Sequence, residues 1–208
     1  MVIDSPMFND RLKEGKIRFN TIFLSDKIPS ETKIVQLKKW SKIFQKSGLT
    51  PEIQGNYTGN LSFRSKKGFV ITVSGLKNKE NLTDDCFVYV KSYSKKSNTF
   101  FVEGKNRPSS ESIMHYLLYE KSENINAVFH GHNEIIITNA SKLNLPTTEK
   151  DYESGTIELA KEVLKVLENN KIIVLKNHGF VSVGTTMKEA GEKTLFTLTK
   201  AKQQISCN

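Results

Sequence analysis

Cysteine is nearly absent. Cys86 and Cys207 lie far apart and neither belongs to a Cys-x-x-Cys pair, which excludes a disulfide scaffold or a cysteine-rich metal site and makes a reducing compartment the expectation. No apolar run approaches the roughly 20 residues that a membrane helix needs. The start, Met1-Val2-Ile3-Asp4-Ser5-Pro6, lacks a basic stretch followed by an apolar one, so a cytoplasmic location is expected. Acidic residues are outnumbered, 22 against 31 basic, and the resulting charge of +9 would suit nucleic acid, an anionic membrane or phosphorylated metabolites. The lysines, however, are scattered in pairs such as Lys38-Lys39, Lys66-Lys67 and Lys95-Lys96. No helix-turn-helix, zinc-finger or RNP signature accompanies them, so neither nucleic acid nor a membrane is an expected partner.

What remains is an ordinary globular composition, 37% hydrophobic and 25% charged, on a chain of 208 residues, enough for one substantial core. Residues 1–29 show no sustained periodicity and read as an N-terminal arm, leaving 30–208 as one domain. Ser30 is expected to open a helix with Ile34, Leu37, Ser41 and Phe44 on one face, Trp40 beside it and Gly48 at its end. From residue 59 the pattern changes to short β-rich runs, 59–64, 69–73, 87–90 and 99–102, separated by polar turns as in an antiparallel meander.

A helix is expected after Pro108, capped by Ser109 or Ser110, with Ile113, Met114, Leu117 and Leu118 buried. Residues 127–132 read as a buried strand. Asn133 can cap a short helix to about Ala140, and 156–167 forms another. Strands at 172–175 and 180–183 pair across Asn177-His178-Gly179, and Thr186 with Glu189 forms a capping box for a last helix towards Ile205. Strands gathered in the middle, with helices before, between and after, predict a largely antiparallel sheet covered by helices.

Histidine is scarce too, and three of the four fall at strand ends: His130, His132 and His178. Residues two apart in a strand share a face, so His130 and His132 project side by side with the small Gly131 turned away. His178 would complete three nitrogen ligands and leave a position open, the arrangement that catalytic zinc favours. Glu111 sits in the first turn after Pro108-Ser109-Ser110, where free N–H groups favour an anion. Gly59-Asn60 and Ser74-Gly75 add two more turns of small, donor-rich residues. His115, one helical turn after Glu111, reads as a packed residue rather than a fourth nitrogen ligand.

Taken together, Gly59-Asn60-Leu61-Ser62, Ser74-Gly75, Pro108-Ser109-Ser110-Glu111 with His115 and Tyr119, His130-Gly131-His132, and Asn177-His178-Gly179 with Gly184 and Glu189-Ala190 resemble the class II aldolase/adducin family in order and spacing. The resemblance spans roughly residues 30 to 203. It implies an α/β fold, a three-layer α/β/α sandwich with a mainly antiparallel central sheet, and a zinc ion held by His130, His132 and His178. It further implies that Glu111 is the catalytic acid/base and a ligand of the resting metal, and that Gly59, Asn60, Ser74, Gly75, Ser109 and Ser110 bind the substrate phosphate. Family aldolases use a tyrosine from a neighbouring subunit as proton donor, and Tyr152 matches by position alone, because 147–155 departs from the family pattern.

The activity so implied is cleavage or formation of a C–C bond in a small ketose phosphate, giving dihydroxyacetone phosphate and an aldehyde through an enediolate whose charge the metal offsets, by a homotetramer. The same site in the family serves a methylthioribulose-phosphate dehydratase and a ribulose-phosphate epimerase, which are the alternatives. A non-catalytic, adducin-like scaffold domain would keep the fold and lose the ligands.

Overall fold

The computed structural model describes residues 16–206. Its centre is an eight-stranded sheet made of β1 (Asn20–Ser25), β4 (Asn60–Ser65), β5 (Gly68–Thr72), β6 (Phe87–Ser94), β7 (Thr99–Glu103), β8 (Ala127–Gly131), β9 (Ile172–Leu175) and β10 (Gly179–Gly184). A small separate ribbon pairs β2 (Glu52–Ile53) with β3 (Asn56–Tyr57). The helices are α1 (Lys33–Lys46), α2 (Ser112–Lys121), α3 (Glu134–Thr138), α4 (Ile157–Leu167) and α5 (Met187–Ser206). Strand order is β1-β7-β6-β5-β4-β8-β10-β9, with β4 to β7 as the expected meander. Every neighbouring pair in this sheet is antiparallel except β1 with β7. The mainly antiparallel α/β expectation therefore holds, with one parallel edge making the sheet mixed.

Alternation along the strands sends successive side chains to opposite layers. On β8, Phe129 packs edge-on to Phe44 at 5.3 Å between ring centres and lies 6.0 Å from Trp40, so it faces the α1 and α5 layer. Its neighbours Val128 and His130 must face the other layer, where α2 and α4 pack on each other. Phe44, Phe129 and Phe180 are all fully buried, and truncating one to alanine would cost about 3–5 kcal/mol.

Several local expectations need correction. A strand stands at Asn20–Ser25, within the N-terminal stretch whose sequence shows no sustained periodicity. The apolar run Ile22-Phe23-Leu24 was its signal, and it is weak because the strand lies on the edge and all three side chains are largely exposed. Residues 1–15 of that arm, and Cys207, lie outside the described residues. The first helix starts at Lys33 rather than Ser30, with no side-chain cap. Neither Ser109 nor Ser110 caps α2; the N-cap position is Glu111. Asn133 and Thr156 do cap their helices, accepting from Ile136 N and Leu159 N. The last capping box forms in half as expected, Thr186 Oγ1 accepting from Glu189 N, while the return bond shifts by one residue, Glu189 Oε2 accepting from Thr185 N. Among the described residues no helix is long and apolar enough to cross a membrane.

Candidate active site

The ends of β4, β8 and β10 bring the predicted residues together. Asn60 stands directly opposite His130 in the β4–β8 ladder, and Val181 stands opposite His130 from β10. One register thus joins a small-residue turn to the histidine pair. His178, in the β9–β10 turn, swings its ring to 5.1 Å from His130 and 5.0 Å from His132. One ring nitrogen from each of the three imidazoles falls within 4.8 Å of the others. All three rings are buried.

Their protonation follows from their partners. His130 Nδ1 lies 2.8 Å from Phe180 O, and a carbonyl only accepts, so Nδ1 carries the proton and Nε2 points a lone pair into the cluster. His132 Nε2 is 2.9 Å from His130 Nε2. Burial and the neighbouring imidazoles hold both residues well below the usual histidine range, which keeps them neutral as ligands must be. Gly131 is required for this packing: a Cβ there would meet Leu49 O and the Phe180 ring, each at 2.6 Å.

Glu111 completes the cluster. Its Oε1 is 3.7 Å from His178 Nε2 and its Oε2 is 4.0 Å from His130 Nε2. Oε1 accepts a hydrogen bond from Gly155 N, whereas the buried Oε2 and His178 Nε2 have no hydrogen-bond partner. Burial pushes the Glu111 carboxyl above its ordinary range, with His178 and the Gly155 N–H pulling the other way. A ring nitrogen from each of three clustered imidazoles, with His178 Nε2 and the neighbouring Glu111 Oε2 left without partners, is what a divalent ion would satisfy, so the residues fit a metal.

The anion turns lie beside this cluster. Ser74 N donates to Arg107 O and Ser109 N to Thr72 O, which ties the Ser74-Gly75 and Ser109-Ser110 turns edge to edge. Gly59, Asn60, Ser74, Gly75, Ser109, Ser110, Glu111 and the three histidines all line one pocket of about 590 Å³, part of it open to solvent. Tyr152 is not among the lining residues of its own chain; it is half-buried against the core. His115 lies outside the histidine cluster, its Nδ1 2.7 Å from Ser62 Oγ, which is itself 2.7 Å from Tyr119 OH.

Three pocket features escaped sequence reasoning. Ser154 lines the pocket and Gly155 N holds Glu111, both from the segment that matched no pattern. That segment is fixed by a bridge between Thr147 and Val174 and by Thr148 Oγ1 accepting from Lys176 N. Lys79 also lines the pocket, and a lysine within Leu76-Lys77-Asn78-Lys79-Glu80 gives no sign of burial.

The sequence profile of the Class II Aldolase and Adducin N-terminal domain matches residues 35–205. The chain belongs to the class II aldolase and adducin family. An L-fuculose phosphate aldolase of Methanococcus maripaludis is 31% identical over 154 residues, 65% of this chain and 77% of that protein. A 5-deoxy-D-ribulose 1-phosphate aldolase of Bacillus thuringiensis is 29% identical over 170 residues, 74% and 76% of the two chains. An L-fuculose phosphate aldolase of another Methanococcus maripaludis strain is 35% identical over 104 residues, 43% of this chain and only 57% of that protein's length. Among solved structures, an L-fuculose 1-phosphate aldolase shares the fold with a TM-score of 0.69, at 24% identity, over 87% of this chain and 90% of that one.

Proposed function

We propose that this family member is a metal-dependent aldolase that cleaves or forms a C–C bond in a small ketose phosphate, with dihydroxyacetone phosphate and an aldehyde as the fragments. The observation that carries the reading is the convergence, in one pocket, of three imidazoles and a buried carboxylate with three turns of small polar residues. The names of the relatives, aldolases of fuculose and deoxyribulose phosphates, point the same way.

His130, His132 and His178 would hold the ion, zinc in this reading, with Glu111 as a further ligand at rest. A bound dication supplies positive charge for the oxygen beside which the C–C bond breaks. The chain's own residues do the rest. Glu111, held at Oε1 by Gly155 and free at Oε2, takes or returns the proton at the carbon that becomes nucleophilic; a carboxyl raised by burial suits that exchange. Gly59, Asn60, Ser74, Gly75, Ser109 and Ser110 bind the phosphate and so fix the reacting carbon against Glu111. The near walls of the pocket are buried strand ends, which exclude bulk water from the carboxylate.

Tyr152 is proposed as donor to the aldehyde-side oxygen in a neighbouring copy's site, consistent with its place outside the lining of its own pocket. The assembly proposed is a homotetramer, and the exposed Ile22, Phe23 and Leu24 on edge strand β1 offer apolar surface for it. A cytoplasmic location is proposed on the same grounds as before, scarce cysteine and no membrane helix among the described residues.

The test is tag-free protein assayed for bound metal, then for release of dihydroxyacetone phosphate from L-fuculose 1-phosphate and from 5-deoxy-D-ribulose 1-phosphate. About one metal per chain with release from either substrate is the expected result. Loss of water from a methylthioribulose phosphate without cleavage would replace the aldolase by a dehydratase, and inversion at a carbinol carbon would replace it by an epimerase. A chain that holds no zinc, manganese or cobalt would be a scaffold.

A further inference from the structure

One buried cation has no role in the chemistry above. Lys79 is only 1% exposed, in the loop between β5 and the short 3₁₀ turn Asp84–Cys86. The loop is built, not loose. Lys79 N donates to Gln45 Oε1 of α1 at 2.6 Å, Asn78 Oδ1 accepts from Glu80 N at 2.7 Å, and Leu76 and Leu82 are buried on either side. From this anchorage Lys79 Nζ donates to Thr58 O at 2.7 Å and to Gly59 O.

Both partners are neutral carbonyls, and among the described residues no carboxylate offsets the burial of this ammonium. A buried charge without a counter-ion is costly, so the amine gives up its proton more readily, and an anion placed beside it would offset that cost. Lys79 is also the sole lysine or arginine among the residues lining the pocket; the turns around it offer neutral donors. An ammonium has three N–H donors, and two are spent on Thr58 and Gly59.

We propose that Lys79 is the cationic group of the anion subsite, its third N–H donating to the phosphate of a substrate lodged among Asn60, Ser74, Ser109 and Ser110. The proposal rests on the ketose-phosphate reading and deepens it. The neutral turns fix where the phosphate sits, and Lys79 supplies the charge that separates a phosphate from a hydroxyl. Burial lowers the Lys79 amine to about 7, so the arrival of a dianion favours its protonated form.

The experiment compares metal-loaded wild type with Lys79→Met and Lys79→Gln, measuring binding of inorganic phosphate by calorimetry at fixed ionic strength and checking metal content and folding by circular dichroism. Glutamine keeps a neutral donor for the Thr58 and Gly59 carbonyls and so separates charge from clamping. The expected result is a loss of phosphate affinity of about tenfold to a hundredfold in both variants, the size of a charged hydrogen bond. KM for the phosphorylated sugar rises with it, while KM for its unphosphorylated analogue stays unchanged.

Phosphate affinity within about twofold of wild type in either folded, metal-loaded variant overturns the proposal and leaves Lys79 a clamp. If neither variant folds, the wild type decides: phosphate must slow acylation of Lys79 relative to the other lysines, read by peptide mass mapping, and an unchanged rate overturns the proposal. Wild type that binds no phosphate would overturn the ketose-phosphate reading itself, an outcome distinct from unaffected variants.

Discussion

The backbone N–H of Gly155 donates to Glu111 Oε1 at 3.1 Å across a separation of 44 residues. This bond leaves Glu111 one anchored oxygen and one orphaned oxygen, so the carboxylate has a fixed aim. Gly155 can make it because its φ is +73°, in the left-handed region, and because it has no Cβ: one there would meet Ser110 O at 2.9 Å. Gly155→Ala is therefore expected to cost more than about 1 kcal/mol of stability. It should also lower kcat about tenfold to a hundredfold through misplacement of Glu111, with metal content unchanged. Denaturant melts and steady-state kinetics on the metal-loaded variant check both. An alanine variant with wild-type kcat would show that Glu111 is aimed by something else.

Glu111→Gln keeps the size and the Gly155 acceptor while removing the base. Expected is retained metal and retained phosphate binding, with kcat lower by about a hundredfold to ten-thousandfold. Turnover near the wild-type rate would remove Glu111 from the proton transfer.

His130→Ala deletes the imidazole at the centre of the cluster, the one whose Nδ1 is fixed to Phe180 O. Wild type should gain roughly 2.7 kcal/mol from zinc supplied at about a hundred times its dissociation constant, seen as a rise in Tm. The variant should show no such rise. Equal zinc-dependent shifts in both proteins would place the ion elsewhere.

His115 gives a pH signature. Burial lowers its pKa from 6.5 to about 3, so the folded chain keeps it neutral while the unfolded chain protonates it below about 6.5. Between those values the unfolded state binds more protons, so stability falls as pH falls, by up to about 1.4 kcal/mol per pH unit from this residue. His115→Gln, which can still pair with Ser62, should flatten the acid limb of the stability curve between pH 6 and 4. Superposable limbs would mean that His115 does not titrate differently in the two states.

How far the sequence could be read differs between elements for identifiable reasons. The α4 face and the β4–β5 ladder were legible because burial imposes a period on side chains. β1 was not, since an exposed edge strand has no buried face to mark it. The cap of α2 was misplaced by sequence because Ser109 Oγ turns to Glu111 N at 3.4 Å while Ser110 lines the pocket. All ten residues read as metal-binding, phosphate-binding or acid/base share one pocket, and Tyr152 stands apart from it.

The sequence by itself determined the period-two strands, the His-x-His face, the family and the kind of chemistry its donor atoms can perform. Those properties depend on residue type at short spacing, which the chain carries in any conformation. Only the tertiary structure decided that Gly155 would hold Glu111, that Lys79 would lie buried beneath the Gly59 turn, and that Asn60 would face His130 across a ladder. Each joins residues distant along the chain, and such contacts exist only once burial of the two apolar faces of the sheet has fixed the register of every strand.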